Sequence, residues 1–302
     1  MIVGVAGAGA IGTIFGAALA AVHDVRVLTR DPRSARTIAN RGGLVVDDGP
    51  PRAVSVSHDP DLFAGVDLVV VAVKTYATVD ALEPLRDIFR HVPPVVSVQN
   101  GAEAVRQIDF ALGHHCCVAL APTTEAGEAL EPGVVRRVGR GETRVGWARD
   151  HANGRAVDAF VDGLVAAGMH AEHVQPIEPW VWAKLVVNAA INPVTALAGI
   201  RNGELLEHAE LRERAARIAR EAAAVAWAAG IALPFADPVP YVEAAARATA
   251  ANRSSMLVDL EAGRPTEIES IAGAVVREAE ALHLSVPENQ AVLDEVRART
   301  KA

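Results

Sequence analysis

The sequence predicts an α/β domain over residues 1–175, followed by an all-α domain over residues 176–302. Before residue 176, short apolar stretches that suit strands alternate with helical patterns, which is typical of a parallel sheet covered by helices. After it, Ala, Glu and Arg recur at helical spacing, with breaks at glycines and prolines. A chain of 302 residues has room for about two such domains.

The chain begins with a strand, a helix and a second strand. Residues 1–6 form a short apolar run, residues 10–21 have a helical pattern, and residues 25–28 form another apolar run. The turn between the first strand and the helix reads GAGAIG, which matches G-x-G-x-x-G. Such a turn places a pyrophosphate at the free N–H groups of a helix N-terminus. We therefore predict a Rossmann-like dinucleotide-binding domain.

The glycines of this turn have separate expected roles. Gly7 permits the tight turn after the strand, Gly9 lets the backbone approach the pyrophosphate, and Gly12 lets the helix pack closely on the strand. The expected cofactor contacts in the turn are Gly7, Ala8, Gly9, Ala10, Ile11 and Gly12.

The end of the second strand indicates which nucleotide is bound. NAD sites usually place an acid there to bind the ribose hydroxyls, but here Arg30 occupies about that position. A guanidinium suits a 2′-phosphate, so the pattern favours NADP over NAD. Asp31 follows directly, and a register error of one residue would put an acid at the site instead.

The other elements of the first domain follow from periodicity and turn residues. The clearest strand is residues 66–73 (VDLVVVAV), an apolar run that suits a parallel strand buried on both faces. The glycine-rich stretch 123–143 fits β-hairpins. Further strands are predicted at 43–47, 53–57, 95–98, 116–121, 134–138, 143–147 and 170–174, and helices at 80–90, 103–111 and 154–167.

The composition argues against strongly anionic partners. The formal net charge is −8, whereas nucleic acids and anionic membranes favour basic surfaces. No apolar run reaches the ~18 residues that span a bilayer. The N-terminus enters a strand pattern at once, which leaves no room for a signal peptide. We expect a cytoplasmic protein without nucleic-acid or membrane partners.

The two cysteines, Cys116 and Cys117, are adjacent. Neighbouring residues of a strand point to opposite faces, so a routine disulfide is disfavoured. His114 and His115 precede them, and a metal site can be imagined, but the spacing matches zinc patterns poorly. Buried thiols are the favoured interpretation, and no metal is predicted.

Lysine is scarce in this chain. Of the 29 basic residues, only Lys74, Lys184 and Lys301 are lysines. Lys74 ends the strongest strand, where α/β folds place ligands. Lys184 lies in a long apolar helical pattern, where an ammonium is costly unless it is paired. The pKa of an ammonium moves readily on burial, so Lys184 is a candidate proton donor.

Lys184, Asn188 and Asn192 are spaced by four residues and share one stripe of this helix. Pro193 follows and is expected to bend or locally open the helix. Three polar side chains in an apolar helix need partners. They form either a ligand site or a polar seam that packs against the first domain.

Six motifs in order resemble the ketopantoate reductase (2-dehydropantoate 2-reductase) family over nearly the whole chain. They are GAGAIG at 7–12, VKTYAT at 73–78, QNG at 99–101, WAKLVVNAAINP at 182–193, RNGEL at 201–205 and NRSSMLVDLEAGRPTEIE at 252–269. The resemblance implies that Lys184 is the catalytic general acid and that Glu267 pairs with it and with the substrate. It also implies that Arg30 binds the 2′-phosphate and that Lys74 and Asn100 lie near the nicotinamide and its ribose. The implied substrate contacts are Lys184, Asn188, Asn192, Asn202, Asn252 and Ser255.

The resemblance implies NADPH-dependent reduction of 2-dehydropantoate to (R)-pantoate, in the pantothenate and coenzyme A route. A 2-keto acid reduction needs a hydride donor, a proton donor and a polar cradle, which the NADP site, Lys184 and the asparagines would supply. The site is expected between the two domains. One alternative is a reductase of another small branched 2-keto acid, and another is a non-catalytic NADP-binding sensor. The helical domain could support a homodimer.

Overall fold

The computed structural model describes residues 1–113, 116–149 and 154–300. The chain forms two compact units. The first comprises Met1–Gln99 and Ala104–Ile177, and the second comprises Asn100–Glu103 and Glu178–Ala302. Each unit has its own core of buried apolar residues.

The strands and α-helices are numbered along the chain. The strands are β1 (Ile2–Ala6), β2 (Asp24–Leu28), β3 (Val45–Val46), β4 (Ser55–Ser57), β5 (Leu68–Val71), β6 (Val95–Ser97), β7 (Val118–Leu120), β8 (Ala126–Glu131), β9 (Val134–Gly139), β10 (Glu142–Trp147) and β11 (His170–His173). The helices are α1 (Ala10–Leu19), α2 (Pro32–Arg41), α3 (Thr78–Leu82), α4 (Ala104–Leu112), α5 (Arg155–Ala166), α6 (Glu178–Ala198), α7 (Ala209–Ala228), α8 (Pro238–Ala248), α9 (Ser255–Glu261), α10 (Ala272–Ala281) and α11 (Pro287–Thr300).

The main sheet of the first unit has the strand order β11-β10-β7-β6-β5-β1-β2-β4. Its neighbours pair in parallel except for β7 and β10, which are antiparallel. The predicted buried strand becomes β5, which lies between β1 and β6 and has no exposed residue. The carboxyl ends of β1, β2, β5 and β6 therefore meet at one edge, where such sheets bind ligands. The predicted α/β class is confirmed.

The glycine-rich segment forms the predicted hairpin. Strands β8 and β9 pair antiparallel, and β3 adds to β9 to complete a three-stranded sheet. This sheet packs on α1, since a Cβ on Gly127 would come within 2.9 Å of the Ile14 side chain. The hairpin therefore covers the helix that follows the glycine-rich turn.

Most predicted boundaries in the first unit lie within two residues of the observed ones, and the end of the helix expected at 80–90 differs most. The helix expected at 80–90 is only α3, continued by a 3₁₀ turn at Glu83–Leu85. Pro84 is consistent with the break, because it has no N–H to donate to the helical hydrogen-bond ladder. The strand expected at 116–121 begins only at Val118.

Every element from Glu178 to Thr300 is helical, as predicted for the second domain. Helix α6 is long and apolar enough to span a membrane by composition, which corrects the expectation that no such run exists. However, 72% of its most apolar 18-residue window is buried inside the protein, so it is a core helix. It continues through Pro193, and the local opening expected there is absent from α6.

Candidate active site

The turn between β1 and α1 has the geometry of a phosphate-binding turn. Gly7 has a φ of +107°, a conformation that favours glycine, and its N–H donates to the carbonyl oxygen of Leu28 (3.0 Å). A Cβ on Gly12 would overlap the carbonyl oxygen of Gly7, so only glycine lets α1 start this close to the turn. A Cβ on Gly9 would meet nothing within 4 Å. The space beside Gly9 is therefore open to a ligand.

Helix α1 begins without a side-chain cap. Gly9 is its N-cap residue and carries no side chain that could accept from the first N–H groups. The N–H groups of the first helical turn, which starts at Ala10, are therefore available to an anion such as a pyrophosphate. The geometry of this turn fits a dinucleotide.

The end of β2 separates the two candidate residues for the ribose. Arg30 is exposed just beyond the strand. Asp31 is the N-cap of α2, and its carboxylate accepts from the N–H (2.9 Å) and the hydroxyl (2.8 Å) of Ser34. These bonds hold the pKa of Asp31 below its usual value. At the end of β2 the acid is thus engaged as a helix cap, whereas the guanidinium of the residue before it is exposed.

Lys74 lies directly after the turn that leaves β5. It precedes a 3₁₀ turn at Thr75–Ala77, and its carbonyl oxygen accepts from the N–H of Ala77 (2.8 Å). Gln99 holds the same loop, because its side-chain amide donates to the carbonyl oxygen of Val73 (2.8 Å). No role was expected for Gln99 from the sequence. A glutamine directly after a buried strand was the signal available.

The chain passes from the first unit to the second at Asn100. Its side-chain amide donates to Glu267 Oε2 (2.9 Å), although 167 residues separate the two. Gly101 explains how the backbone comes so close. It has a φ of +86°, and a Cβ there would overlap the carbonyl oxygen of Ser270. Asn100 was assigned to the cofactor, and the structure places its side chain on the acid of the second unit.

Lys184 and Glu267 interact within the second unit. Lys184 is mostly buried on α6, and Glu267 is only 5% exposed. Burial lowers the pKa of Lys184 to about 8, and the negative charge of Glu267 opposes this by raising it. At neutral pH the ammonium is thus mostly protonated, yet it releases its proton more readily than an ordinary lysine. Such a group suits a general acid.

Asn188 and Asn192 follow Lys184 along α6. Asn188 is half-buried and Asn192 is 9% exposed. Neither side-chain amide forms a hydrogen bond with another described residue. The backbone carbonyl oxygen of Asn192 accepts from Thr195 Oγ1 (3.2 Å). The two amides therefore keep their donors and acceptors for a ligand.

The other expected substrate contacts lie around the start of α9. Asn202 is buried, donates from its amide to Thr249 Oγ1 (3.0 Å), and leaves its Oδ1 atom without a partner. Its N–H donates to the carbonyl oxygen of Asn252 (3.0 Å), so Asn202 and Asn252 are neighbours. Ser255 is exposed in the first turn of α9, which is capped by the buried Ser254.

Neither cysteine forms a disulfide. Cys116 is buried, Cys117 is partly exposed, and burial raises the pKa of Cys116 to about 11. Among the residues that the structure describes, no group of three His, Cys, Asp or Glu could hold a metal ion. His114 and His115 lie outside the described residues.

Two family models match the chain in succession. The model described as "Ketopantoate reductase PanE/ApbA" matches residues 3–150, and "Ketopantoate reductase PanE/ApbA C terminal" matches residues 176–300. A 2-dehydropantoate 2-reductase of Archaeoglobus fulgidus is 35% identical over 296 residues, with 96% of this chain and 95% of that protein covered. The enzyme of the same name from Halobacterium salinarum is also 35% identical, with 97% of each chain covered.

Solved structures give the same result. A PanE/ApbA family ketopantoate reductase from Ralstonia eutropha JMP134 has a TM-score of 0.89 and 30% identity, with 100% of this chain and 99% of that chain covered. A D-mandelate dehydrogenase solved with NADH has a TM-score of 0.86 at 21% identity and covers 100% of this chain and 99% of its own, which bears on the fold alone. With both family models and full-length relatives in agreement, this chain belongs to the ketopantoate reductase family.

Proposed function

We propose that the protein reduces 2-dehydropantoate to (R)-pantoate with NADPH, in pantothenate biosynthesis. The observation that carries this proposal is the cluster of Asn100, Lys184 and Glu267 in a chain of this family. Reduction of a ketone adds a hydride to the carbon and a proton to the oxygen. The cluster supplies the proton, and a nicotinamide nucleotide supplies the hydride when bound.

The first unit would hold the nucleotide. The open space at Gly9 and the uncapped start of α1 suit the pyrophosphate. Arg30 is free of the cap that engages Asp31, and its guanidinium suits the 2′-phosphate that distinguishes NADPH from NADH. Lys74 would lie near the nicotinamide end, as the family resemblance implies.

Lys184 would donate the proton. Its ammonium would hydrogen-bond the ketone oxygen and pass a proton to it as negative charge develops there. The negative charge of Glu267 would pair with Lys184 and orient it. Asn100 donates to Glu267 and so keeps one carboxylate oxygen fixed. Lys184 would then recover its proton from solvent.

The asparagines would bind the rest of the substrate. The amides of Asn188 and Asn192 can both donate and accept, which suits a molecule with a hydroxyl, a ketone and a carboxylate. Asn252 and Ser255 would hold the carboxylate end, with Asn202 behind them. A non-catalytic NADP-binding sensor is disfavoured, because such a protein has no need of the cluster of Asn100, Lys184 and Glu267.

The decisive experiment is a spectrophotometric assay of NADPH oxidation by the purified protein with 2-dehydropantoate. We expect turnover with 2-dehydropantoate, and we expect chiral analysis to identify the product as (R)-pantoate. A parallel panel of linear and branched 2-keto acids tests the alternative substrate class. Higher kcat/KM for another branched keto acid would move the assignment to that substrate, and no oxidation with any keto acid would refute a reductase.

We propose further that the protein acts in the cytoplasm on small molecules, without nucleic-acid or membrane partners. Its net charge of −8 disfavours anionic polymers and surfaces. A homodimer is part of this proposal, and analytical ultracentrifugation at assay concentration would contradict it by finding only the 31.6 kDa monomer.

A further inference from the structure

We propose that Gln99 is a positioning residue that holds the Lys74 loop and the glycine-rich turn in the arrangement that binds the nucleotide. It acts through the backbone of residues 73–78 and through the packing of that backbone on Gly7. This role rests on the proposed function, since it takes NADPH to bind at the turn and at Lys74.

One side-chain amide fixes both ends of the loop that carries Lys74. Gln99 Nε2 donates to the carbonyl oxygen of Val73 (2.8 Å), directly before Lys74, and to Thr78 Oγ1 (2.8 Å), four residues after it. Within the loop, the N–H of Ala77 donates to the carbonyl oxygen of Lys74 (2.8 Å). The position of the Lys74 backbone therefore depends on Gln99.

The orientation of the Gln99 amide is set by its neighbours. Ser97 Oγ donates to Gln99 Oε1 (3.0 Å), which leaves Nε2 to face Val73 and Thr78. Thr78 Oγ1 donates its only hydrogen to the carbonyl oxygen of Thr75 (2.8 Å), so it must accept from Gln99. Ser97 and Thr78 are almost fully buried. Loss of the amide would therefore leave buried polar groups without partners, which is costly.

The same loop forms the wall behind the glycine-rich turn. A Cβ on Gly7 would come within 2.8 Å of Val73 Cγ1, and a Cβ on Gly12 would come within 3.2 Å of Ala72 Cβ. A shift of residues 72–73 would therefore move the turn as well as Lys74. Gln99 thus supports two of the elements that would contact the nucleotide.

The test compares Gln99→Met, which keeps the volume and removes the donors, with Gln99→Glu, which places an oxygen opposite the Val73 carbonyl. We expect the Kd for NADPH, measured by fluorescence titration, to rise about tenfold in Gln99→Met and further in Gln99→Glu. Hydrogen exchange at the Ala77 amide should accelerate, while kcat at saturating NADPH stays within about twofold. The matched control is Gln290→Met, since Gln290 is a glutamine on α11 whose side-chain amide donates to Asp294 Oδ2 (2.9 Å) on the same helix.

A double-mutant cycle that combines Gln99→Met with Lys74→Ala separates the positioning of Lys74 from a general structural effect. Because Gln99 also supports the glycine-rich turn, Gln99→Met should still raise the NADPH Kd once Lys74 is gone, but by about threefold rather than tenfold. A full tenfold loss in both backgrounds would overturn the proposal, as would wild-type affinity in both Gln99 variants. If Gln99→Met fails to fold, Ser97→Ala frees the Gln99 oxygen more mildly, and unchanged affinity and exchange there would also overturn it.

The binding readout distinguishes this proposal from the proposed function. Titration with NADPH needs no keto acid. A wild-type protein that binds NADPH but reduces no keto acid would contradict the proposed reductase activity. Non-additive effects of Gln99→Met and Lys74→Ala on the NADPH Kd would still support the positioning role of Gln99. A wild-type protein that binds no NADPH would overturn both.

Discussion

The glycine-rich turn and the Lys184 cluster are built from different chemistry. The turn uses backbone, and its contacts depend on the absence of a Cβ at Gly7 and Gly12. The cluster uses side chains, which come from Asn100, Lys184 and Glu267. Backbone sites depend on shape and local sequence, whereas side-chain sites depend on single atoms that the fold brings together. Substitutions should therefore damage binding at the turn and chemistry at the cluster.

The largest effect is expected at Lys184. Lys184→Ala removes the general acid and should lower kcat by roughly 10²–10⁴-fold, with the NADPH Kd within about twofold. Lys184→Arg keeps the charge but cannot release a proton at working pH, so it should be nearly as slow. Steady-state kinetics with NADPH titration measures both. A comparable loss of NADPH affinity in Lys184→Ala would contradict the division between nucleotide binding at the glycine-rich turn and chemistry at the Lys184 cluster.

The next effect is expected at Arg30. Arg30→Ala should raise the KM for NADPH by about 10–100-fold, because charge-assisted hydrogen bonds to the 2′-phosphate are lost. The KM for NADH should change by no more than about twofold. Arg220→Ala, at an exposed arginine of α7, is the matched control. Equal effects on the two nucleotides would remove Arg30 from the 2′-phosphate site.

Two glycines of the turn should respond differently to the same methyl group. Gly12→Ala overlaps the Gly7 carbonyl and should lower the free energy of unfolding by about 1–3 kcal/mol. Gly9→Ala meets no protein atom, so its Tm should match the wild type, while its NADPH Kd rises about tenfold as the methyl obstructs the pyrophosphate. Calorimetry and titration measure these values. Wild-type affinity in Gly9→Ala would place the nucleotide elsewhere.

The smallest effect is a shift in the pH profile. The acid form of Lys184 is lost as pH rises, so kcat should fall above about pH 8. Glu267 raises the pKa of Lys184, so Glu267→Gln should move this fall to lower pH, by about one unit. Glu269→Gln is the control, because Glu269 pairs instead with Arg297. If kcat decreased at the same pH in Glu267→Gln as in the wild type, the pKa of Lys184 would not be the cause of the decrease.

The turn could be predicted from sequence because its determinants are local. The strand, the glycines and the helix all lie within the first 19 residues, and their roles depend on spacing alone. Lys184, Asn188 and Asn192 could also be found, because helical spacing places them on one stripe. The predicted helix at 80–90 was too long because the helical pattern continues past Pro84, whereas α3 ends before it.

The other two members of the Lys184 cluster, Asn100 and Glu267, could not be found from helical spacing. Asn100 and Glu267 meet across 167 residues of sequence, and only the family resemblance pointed to Glu267. The hydrogen bonds of Gln99 likewise depend on the packing of β6 beside β5. The role of Asp31, by contrast, was available locally, since Asp followed by Pro is a common start of a helix.

The cap at Asp31 has a consequence for the evolution of coenzyme preference. A switch towards NADH would need an acid at the end of β2, and the nearest one already starts α2. To recruit it, the protein would have to give up the helix cap that Asp31 provides. With Arg30 at the 2′-phosphate as proposed, a change at Arg30 alone would weaken NADPH binding without creating a place for the ribose hydroxyls of NADH. Coenzyme choice and folding stability would then be linked at adjacent residues, and a lineage that changed one would have to compensate for the other.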